Sequence, residues 1–194
     1  MRLKLLMALL AGGVVFSASA MALEPSNTAM LANTCNGCHG TGGVSAGPNM
    51  PNLGGLQSGY IVDQMKAFKS GERPSSIMGR LAKAYSDDEI AAMASFYSTH
   101  KYMGAKQPVD AAKVARGKEL HEERCKKCHT ENGRDSEDGG IIAGQWKEYL
   151  QISFSEFRSG KRPMPKKMAA KIDGEGKLSD ADIDALIHFY ASQQ

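Results

Sequence analysis

The motif Cys-x-x-Cys-His occurs twice, as Cys35-Asn36-Gly37-Cys38-His39 and as Cys125-Lys126-Lys127-Cys128-His129, at an offset of 90 residues. It consumes all four cysteines, so no thiol is left over for another purpose. Two thiols at this spacing reach both vinyl groups along one porphyrin edge, and the histidine that follows falls under the iron as its proximal ligand. The motif therefore reads as covalent attachment of a c-type haem, with Cys35, Cys38, Cys125 and Cys128 holding two such groups and His39 and His129 as axial ligands. A zinc ribbon would bring its two Cys-x-x-Cys pairs within about 15–20 residues of each other. A thioredoxin-like dithiol needs a βαβ context that the chain lacks.

The duplication extends beyond the cysteines. Gln57 to Gly71 lies over Gln145 to Gly160 with one residue inserted in the second copy, and each stretch closes on an aromatic, a basic residue, Ser and Gly. Arg73-Pro74 and Arg162-Pro163 come next, each followed by a methionine. Ser86-Asp87-Asp88-Glu89-Ile90 then matches Ser179-Asp180-Ala181-Asp182-Ile183, a capping serine before an acidic first turn. Such a repeat over about 170 residues predicts two similar domains, spanning residues 23–104 and 105–194.

Behind the two caps, Ile90, Met93, Ala94 and Tyr97 in one copy and Ile183, Leu186, Ile187 and Tyr190 in the other recur at i, i+3, i+4, i+7. Each domain should close with an amphipathic helix. A further helix is predicted over Ala111 to Glu123, where Gly117 would let another helix approach closely; its counterpart in the first domain, Asn27 to Asn33, is shorter. No segment alternates as a strand does, so the fold class is all-α: two tandem domains, each wrapped around one covalently attached haem. Thr99 to Asp110, with Gly104 and Pro108, reads as a linker across the surface. A core of about 80 residues is small, and the haem should supply much of the apolar surface around which each domain packs.

Arg2 and Lys4, an apolar run from Leu5 to Phe16 and small residues ending Ala20-Met21-Ala22 have the layout of a secretory signal peptide over residues 1–22. The run is short for a spanning helix of about 20 residues, and no other segment qualifies, so no membrane anchor is expected in the mature chain. Export fits haem attachment to thiols, and the compartment would be the periplasm. Removing the leader takes away Arg2 and Lys4, lowering the formal charge from +3 to +1, which argues against a nucleic-acid partner.

A methionine thioether as sixth ligand closes the coordination shell and raises the reduction potential. Met78 follows His39 at 39 residues, and Met168 follows His129 at the same interval. The equal spacing favours Met78 and Met168 as metal ligands, with Met164 the rival in the second domain. Met30, Met65 and Met93 fit apolar helix faces, where Met is ordinary filler, while Met50 and Met103 fall in loops. His100, His121 and His188 read as surface or packing residues. A proximal histidine normally donates its other ring nitrogen to a carbonyl; Pro51 is placed to offer one, and Ile141-Ile142-Ala143-Gly144 occupies the corresponding site in the second domain. No catalytic residue is identified.

The two haem motifs, the Phe-Lys-Ser-Gly and Phe-Arg-Ser-Gly turns, Ile77-Met78-Gly79-Arg80-Leu81-Ala82-Lys83, Ala143-Gly144-Gln145-Trp146, Arg162-Pro163-Met164-Pro165-Lys166-Lys167-Met168 and the closing Phe189-Tyr190-Ala191-Ser192-Gln193-Gln194 together resemble the dihaem cytochrome subunit of flavocytochrome c sulfide dehydrogenase. The haem motifs alone are generic to class I cytochromes c. The resemblance implies two class I cytochrome c domains and a heterodimer with an FAD-containing flavoprotein that oxidises sulfide. FAD would reside only in that partner, since no Gly-x-Gly-x-x-Gly opens a βαβ unit here. This chain would accept the electrons and pass them to a small soluble carrier. A free-standing dihaem carrier of the c-four class, donating to a terminal oxidase, shares the duplicated architecture and is the alternative. A dihaem peroxidase needs an iron with an open sixth position, against the two methionines, and thiosulfate-oxidising dihaem enzymes need a cysteine ligand that this chain does not have to spare.

Overall fold

A computed structural model describes residues 25–136 and 139–194, so the leader read in residues 1–22 lies outside the described residues. Among the described residues there is no strand, in keeping with the all-α expectation. The first domain holds α1 (Pro25–Asn33), α2 (Asn36–His39), α3 (Ser58–Ser70), α4 (Met78–Leu81) and α5 (Asp87–Ser98). The second holds α6 (Ala111–Leu120), α7 (Lys147–Arg158), α8 (Lys166–Ile172) and α9 (Asp180–Ser192).

The closing helices start where the sequence caps them. Ser86 Oγ accepts the Glu89 N–H and the Glu89 carboxylate accepts the Ser86 N–H; Ser179 and Asp182 repeat the arrangement ahead of α9. Their apolar stripes face inward: Ile90, Met93, Ala94 and Tyr97 are buried on α5, and Ile183, Leu186, Ile187 and Tyr190 on α9. Each fully buried large aliphatic of this kind stabilises by about 1.5–3 kcal/mol relative to exposure. α5 and α9 therefore anchor two separate cores, one per domain. α3 stops at Gly71, whose φ of 85° lets its N–H turn back to the Ala67 and Phe68 carbonyls.

α6 crosses α9 at Gly117. A Cβ there would lie 2.1 Å from the Ala185 carbonyl oxygen and 2.6 Å from Phe189 Cβ, the close approach predicted for this glycine. Beyond α6, His121–Cys125 forms one π-helical turn that runs into the second haem motif, where the first domain instead has the short α2. One sequence expectation is overturned. Met30 is not core filler but 67% exposed, because the short α1 packs through Leu31 and Ala32.

The linker is pinned more firmly than a surface crossing requires. Ala105 is buried and its N–H donates to the Gly144 carbonyl, while the Gln107 side chain bonds both the Gln145 carbonyl and the Lys147 N–H. These contacts satisfy backbone groups that have no helix to pair them. The domains meet along a polar seam. Asn52 and Gln145, 1% and 2% exposed, bond reciprocally: Gln145 Oε1 accepts the Asn52 N–H at 2.9 Å and Gln145 Nε2 donates to the Asn52 carbonyl at 3.1 Å. Trp146 Nε1 donates to the Ser45 carbonyl, and the Tyr149 N–H to that of Pro48.

Candidate functional site

Each Cys-x-x-Cys-His segment is one tight turn. The His39 N–H donates to the Cys35 carbonyl at 2.9 Å and the Cys38 N–H to the same oxygen at 3.2 Å; His129 and Cys128 repeat this on Cys125 at 2.9 and 3.1 Å. The turn thus holds two thiols and an imidazole in a fixed relation in both domains, and all four thiols are free of disulfides. Burial pushes the Cys35 thiol up, against Thr34 and Tyr97; it pushes Cys125 up as well, against Tyr190, Arg124 and Lys171.

His39 is 6% exposed and its Nδ1 lies 2.9 Å from the Pro51 carbonyl, the partner expected for it. A carbonyl only accepts, so Nδ1 carries the proton and Nε2 keeps its lone pair, the atom an iron would take. Burial, opposed by that hydrogen bond, lowers the pKa of the ring and keeps it in the neutral, ligating form. In the second domain the equivalent carbonyl is one residue upstream of the stretch read from sequence. The Leu53 and Gly54 N–H groups on Gly43, and Gly55 on Tyr97, correspond to Ile142 and Ala143 on Gly133, and Gly144 on Tyr190. That ladder aligns Pro51 with Gly140. The displacement follows from chain length, since Ile142 follows Gly133 by nine residues where Leu53 follows Gly43 by ten.

Met78 opens α4 with its N–H on Ser75 Oγ at 3.1 Å, and is half-buried. Met168 sits in α8, and both it and Met164, just before Pro165, pack against the core of the second domain. The remaining histidines are engaged in packing. His121, 1% exposed, meets the Tyr190 hydroxyl at 3.1 Å; His100 Nδ1 donates to the Phe96 carbonyl, and His188 Nδ1 accepts the Asp110 N–H.

Two groups of residues beside the motifs escaped the sequence reading. Tyr97 and Tyr190 were read only as core positions, yet the Tyr97 hydroxyl donates to the Ala32 carbonyl at 2.7 Å and lies 3.2 Å from Asn36 Oδ1, tying α5 to the haem turn. The signal was a tyrosine, rather than a phenylalanine, at the same buried register in both copies. The second group lies in the seam. Gln64 Oε1 accepts from Arg73 Nη1 at 2.7 Å and from Arg162 Nη2 at 3.2 Å, so one amide of the first domain binds a guanidinium from each. Here the signal was the repeated Arg-Pro.

Residues 24–101 and 114–194 match the family described as Cytochrome c. The chain belongs to the cytochrome c family. Over most of its length it is similar to cytochrome c4 of Azotobacter vinelandii, 30% identical over 172 residues, covering 80% of this chain and 82% of the relative. It is also similar to the cytochrome subunit of sulfide dehydrogenase from Chlorobaculum tepidum, 36% identical over 96 residues, which is 46% of this chain and 86% of that one. The crystal structure of reduced recombinant cytochrome c4 from Pseudomonas stutzeri shares the fold, with a TM-score of 0.73 at 23% identity over 88% of this chain and 99% of that one. The protein is thus a two-domain, c4-like cytochrome c, and that membership implies a haem c in each domain. The donor set fits the group: two adjacent thiols and, in the first domain, a neutral imidazole fixed by its Nδ1 hydrogen bond. Among the described residues no helix is long and apolar enough to cross a membrane.

Proposed function

We propose that this cytochrome is the electron-transfer subunit of a periplasmic sulfide dehydrogenase. It would accept electrons from an FAD-containing, sulfide-oxidising flavoprotein and release them to a small soluble carrier. Cys35 and Cys38, and Cys125 and Cys128, would form the thioether links; His39 with Met78, and His129 with Met168, would ligate the two irons. When bound, each haem supplies a one-electron couple, and two such couples match the two electrons released when sulfide becomes sulfur. The chain contributes the rest. His39 is held in its ligating tautomer by Pro51, the tyrosines tie the closing helices to the haem turns, and the Asn52–Gln145 seam fixes one domain against the other.

The observation that carries the choice of donor is the sequence from Arg162 to Met168 together with the closing Phe189 to Gln194, which goes beyond the generic haem motif, with the 36% identity to a sulfide dehydrogenase cytochrome subunit in support. The similarity to cytochrome c4 over most of both chains favours a second reading, a free dihaem carrier that donates to a terminal oxidase. Native purification at low salt separates the two. Flavin absorbance co-eluting with haem, and haem reduction on anaerobic addition of sulfide, are expected. Haem alone at the monomer position, inert to sulfide and rapidly oxidised by terminal-oxidase membranes, would give the free carrier instead.

A further inference from the structure

The segment that carries the candidate methionine is tied down at the same two points in both copies. The first point is its base. Lys69 and Arg158 are equivalent residues of the Phe-Lys-Ser-Gly and Phe-Arg-Ser-Gly turns. Lys69 Nζ donates to the Tyr85 carbonyl at 2.8 Å and to Asp87 Oδ1 at 3.0 Å, closing the segment that holds Met78. Arg158 Nη2 donates to the Leu178 carbonyl, Nη1 donates to Asp180 Oδ1 at 2.6 Å, and Nε stands 3.7 Å from the Asp173 carboxylate, closing the segment that holds Met164 and Met168. Asp87 and Asp180 are exposed and add little, so the carbonyl bonds carry the clasp.

The second point is the residue immediately before the first cysteine of each haem motif. The Thr34 hydroxyl meets the Tyr85 hydroxyl at 3.1 Å. Its equivalent, Arg124, donates from Nη1 to the Gly176 carbonyl at 2.6 Å and to that of Lys171 at 3.4 Å. Both copies thus bond the methionine segment to the preceding helix and to the haem turn, but with unequal chemistry. In the first domain the clasp is one ammonium and a pair of neutral hydroxyls. In the second it is two guanidinium groups, on side chains 20% and 22% exposed against 34% for Lys69. A charge-assisted bond is about twice as strong as a neutral one, and the guanidinium fork is pre-organised where the lysine stem is flexible. The second segment is the longer, spanning 20 residues against 16, but closure entropy grows too slowly with length to reverse the order.

We infer that Lys69 with Thr34, and Arg158 with Arg124, are positioning residues that hold the methionine segments against the haem turns, and that the lighter clasp makes the first-domain iron the one that opens to a small neutral nitrogen donor. The inference rests on Met78 and Met168 as the sixth ligands, and on neither choice of electron donor. An incoming ligand must displace the thioether, so its apparent affinity scales with the fraction of molecules in which the segment has lifted. Loosening one clasp therefore raises the affinity of that iron and leaves the other unchanged.

The test is an imidazole titration of the intact ferric two-haem protein, followed through the methionine-to-iron charge-transfer band. In the wild type the band should vanish in two steps. Lys69→Gln should move the tighter step to about tenfold lower imidazole, and Arg158→Gln should move the weaker step by at least as much. Arg158→Lys should recover most of that loss, because it places the first domain's residue in the second. A single step in the wild type, both steps moving in one variant as general structural damage would cause, or Arg158→Gln acting on the tighter step would overturn the inference. Hydrogen exchange of the wild type needs no variant: amides of residues 72–84 should exchange faster than those of 161–177, and the reverse order would overturn the unequal clasps. Should Met78→Ala and Met168→Ala leave the band intact, the ligand assignment fails and takes the opening of the iron with it, whereas the exchange order judges the clasps independently. The two failures are thus separable, and no sulfide or flavoprotein enters either arm.

Discussion

Replacing Gln145 by Ala probes the seam that fixes the two redox domains. Its Oε1 accepts the Asn52 N–H at 2.9 Å, and its Nε2 donates to the carbonyls of Asn52 and Ile141 at 3.1 and 3.3 Å. Asn52 is 1% exposed, so truncation strands its N–H where water does not reach. An unsatisfied buried donor costs about 1–3 kcal/mol. The two carbonyls each lose a donor and the missing amide leaves a small void, which brings the total to roughly 2–4 kcal/mol. At about 1.4 kcal/mol per tenfold, the docked arrangement should weaken by a factor of about 30 to several hundred. Guanidinium unfolding of the intact two-haem protein, followed by far-ultraviolet circular dichroism and haem absorbance, measures this. Wild type should unfold in one transition; Gln145→Ala should unfold earlier, with the two domains no longer coincident. Trp146→Phe, which loses one half-exposed bond to the Ser45 carbonyl, should cost only about 1 kcal/mol. A Gln145→Ala midpoint within about 0.5 kcal/mol of wild type would refute the reasoning, since it would mean that the buried N–H finds another acceptor at no cost.

Three further outcomes are expected. Gly117→Ala should destabilise by about 1–3 kcal/mol despite its better helix propensity, because the new Cβ meets the Ala185 backbone and cannot be relieved by a rotamer change; an unchanged melting temperature would contradict the α6–α9 contact. Met78→Ala and Met168→Ala should each remove the methionine-to-iron charge-transfer band of one domain and lower its potential, and Met164→Ala should spare it; the reverse result for Met164 and Met168 would reassign the second ligand. Asp182 is held below the usual carboxylate range by the Ser179 hydroxyl, then Arg116 and the Ser179 N–H. A depressed folded value contributes stability above the unfolded pKa, and that stability disappears as pH falls through the folded one. Asp182→Asn should therefore lose stability at neutral pH and show a flatter acid limb in melts between pH 7 and 3; an acid limb as steep as wild type would exclude Asp182 from it.

What the sequence revealed divides along physical lines. Signals carried within one turn or one helix were legible: the Cys-x-x-Cys-His turn, the capping serines with their N3 carboxylates, the apolar stripes of α5 and α9, and the close approach at Gly117. The π-turn at His121–Cys125 was not, because it is a local underwinding that the apolar periodicity of α6 does not record. Nor was the seam, since Asn52 and Gln145 lie in loops without periodicity and find each other across 93 residues. Yet part of the seam was latent in the repeat. Tyr60 and Tyr149, and Arg73 and Arg162, are equivalent positions of the two copies, and each pair meets where the domains join. When a duplicated chain packs its halves about an approximate two-fold axis, a residue near that axis necessarily faces its own copy. Polar residues held in both copies without a helical face or a cap to explain them are therefore candidates for the axis. By that argument the repeated Arg-Pro marks the junction of the two redox domains as well as a turn.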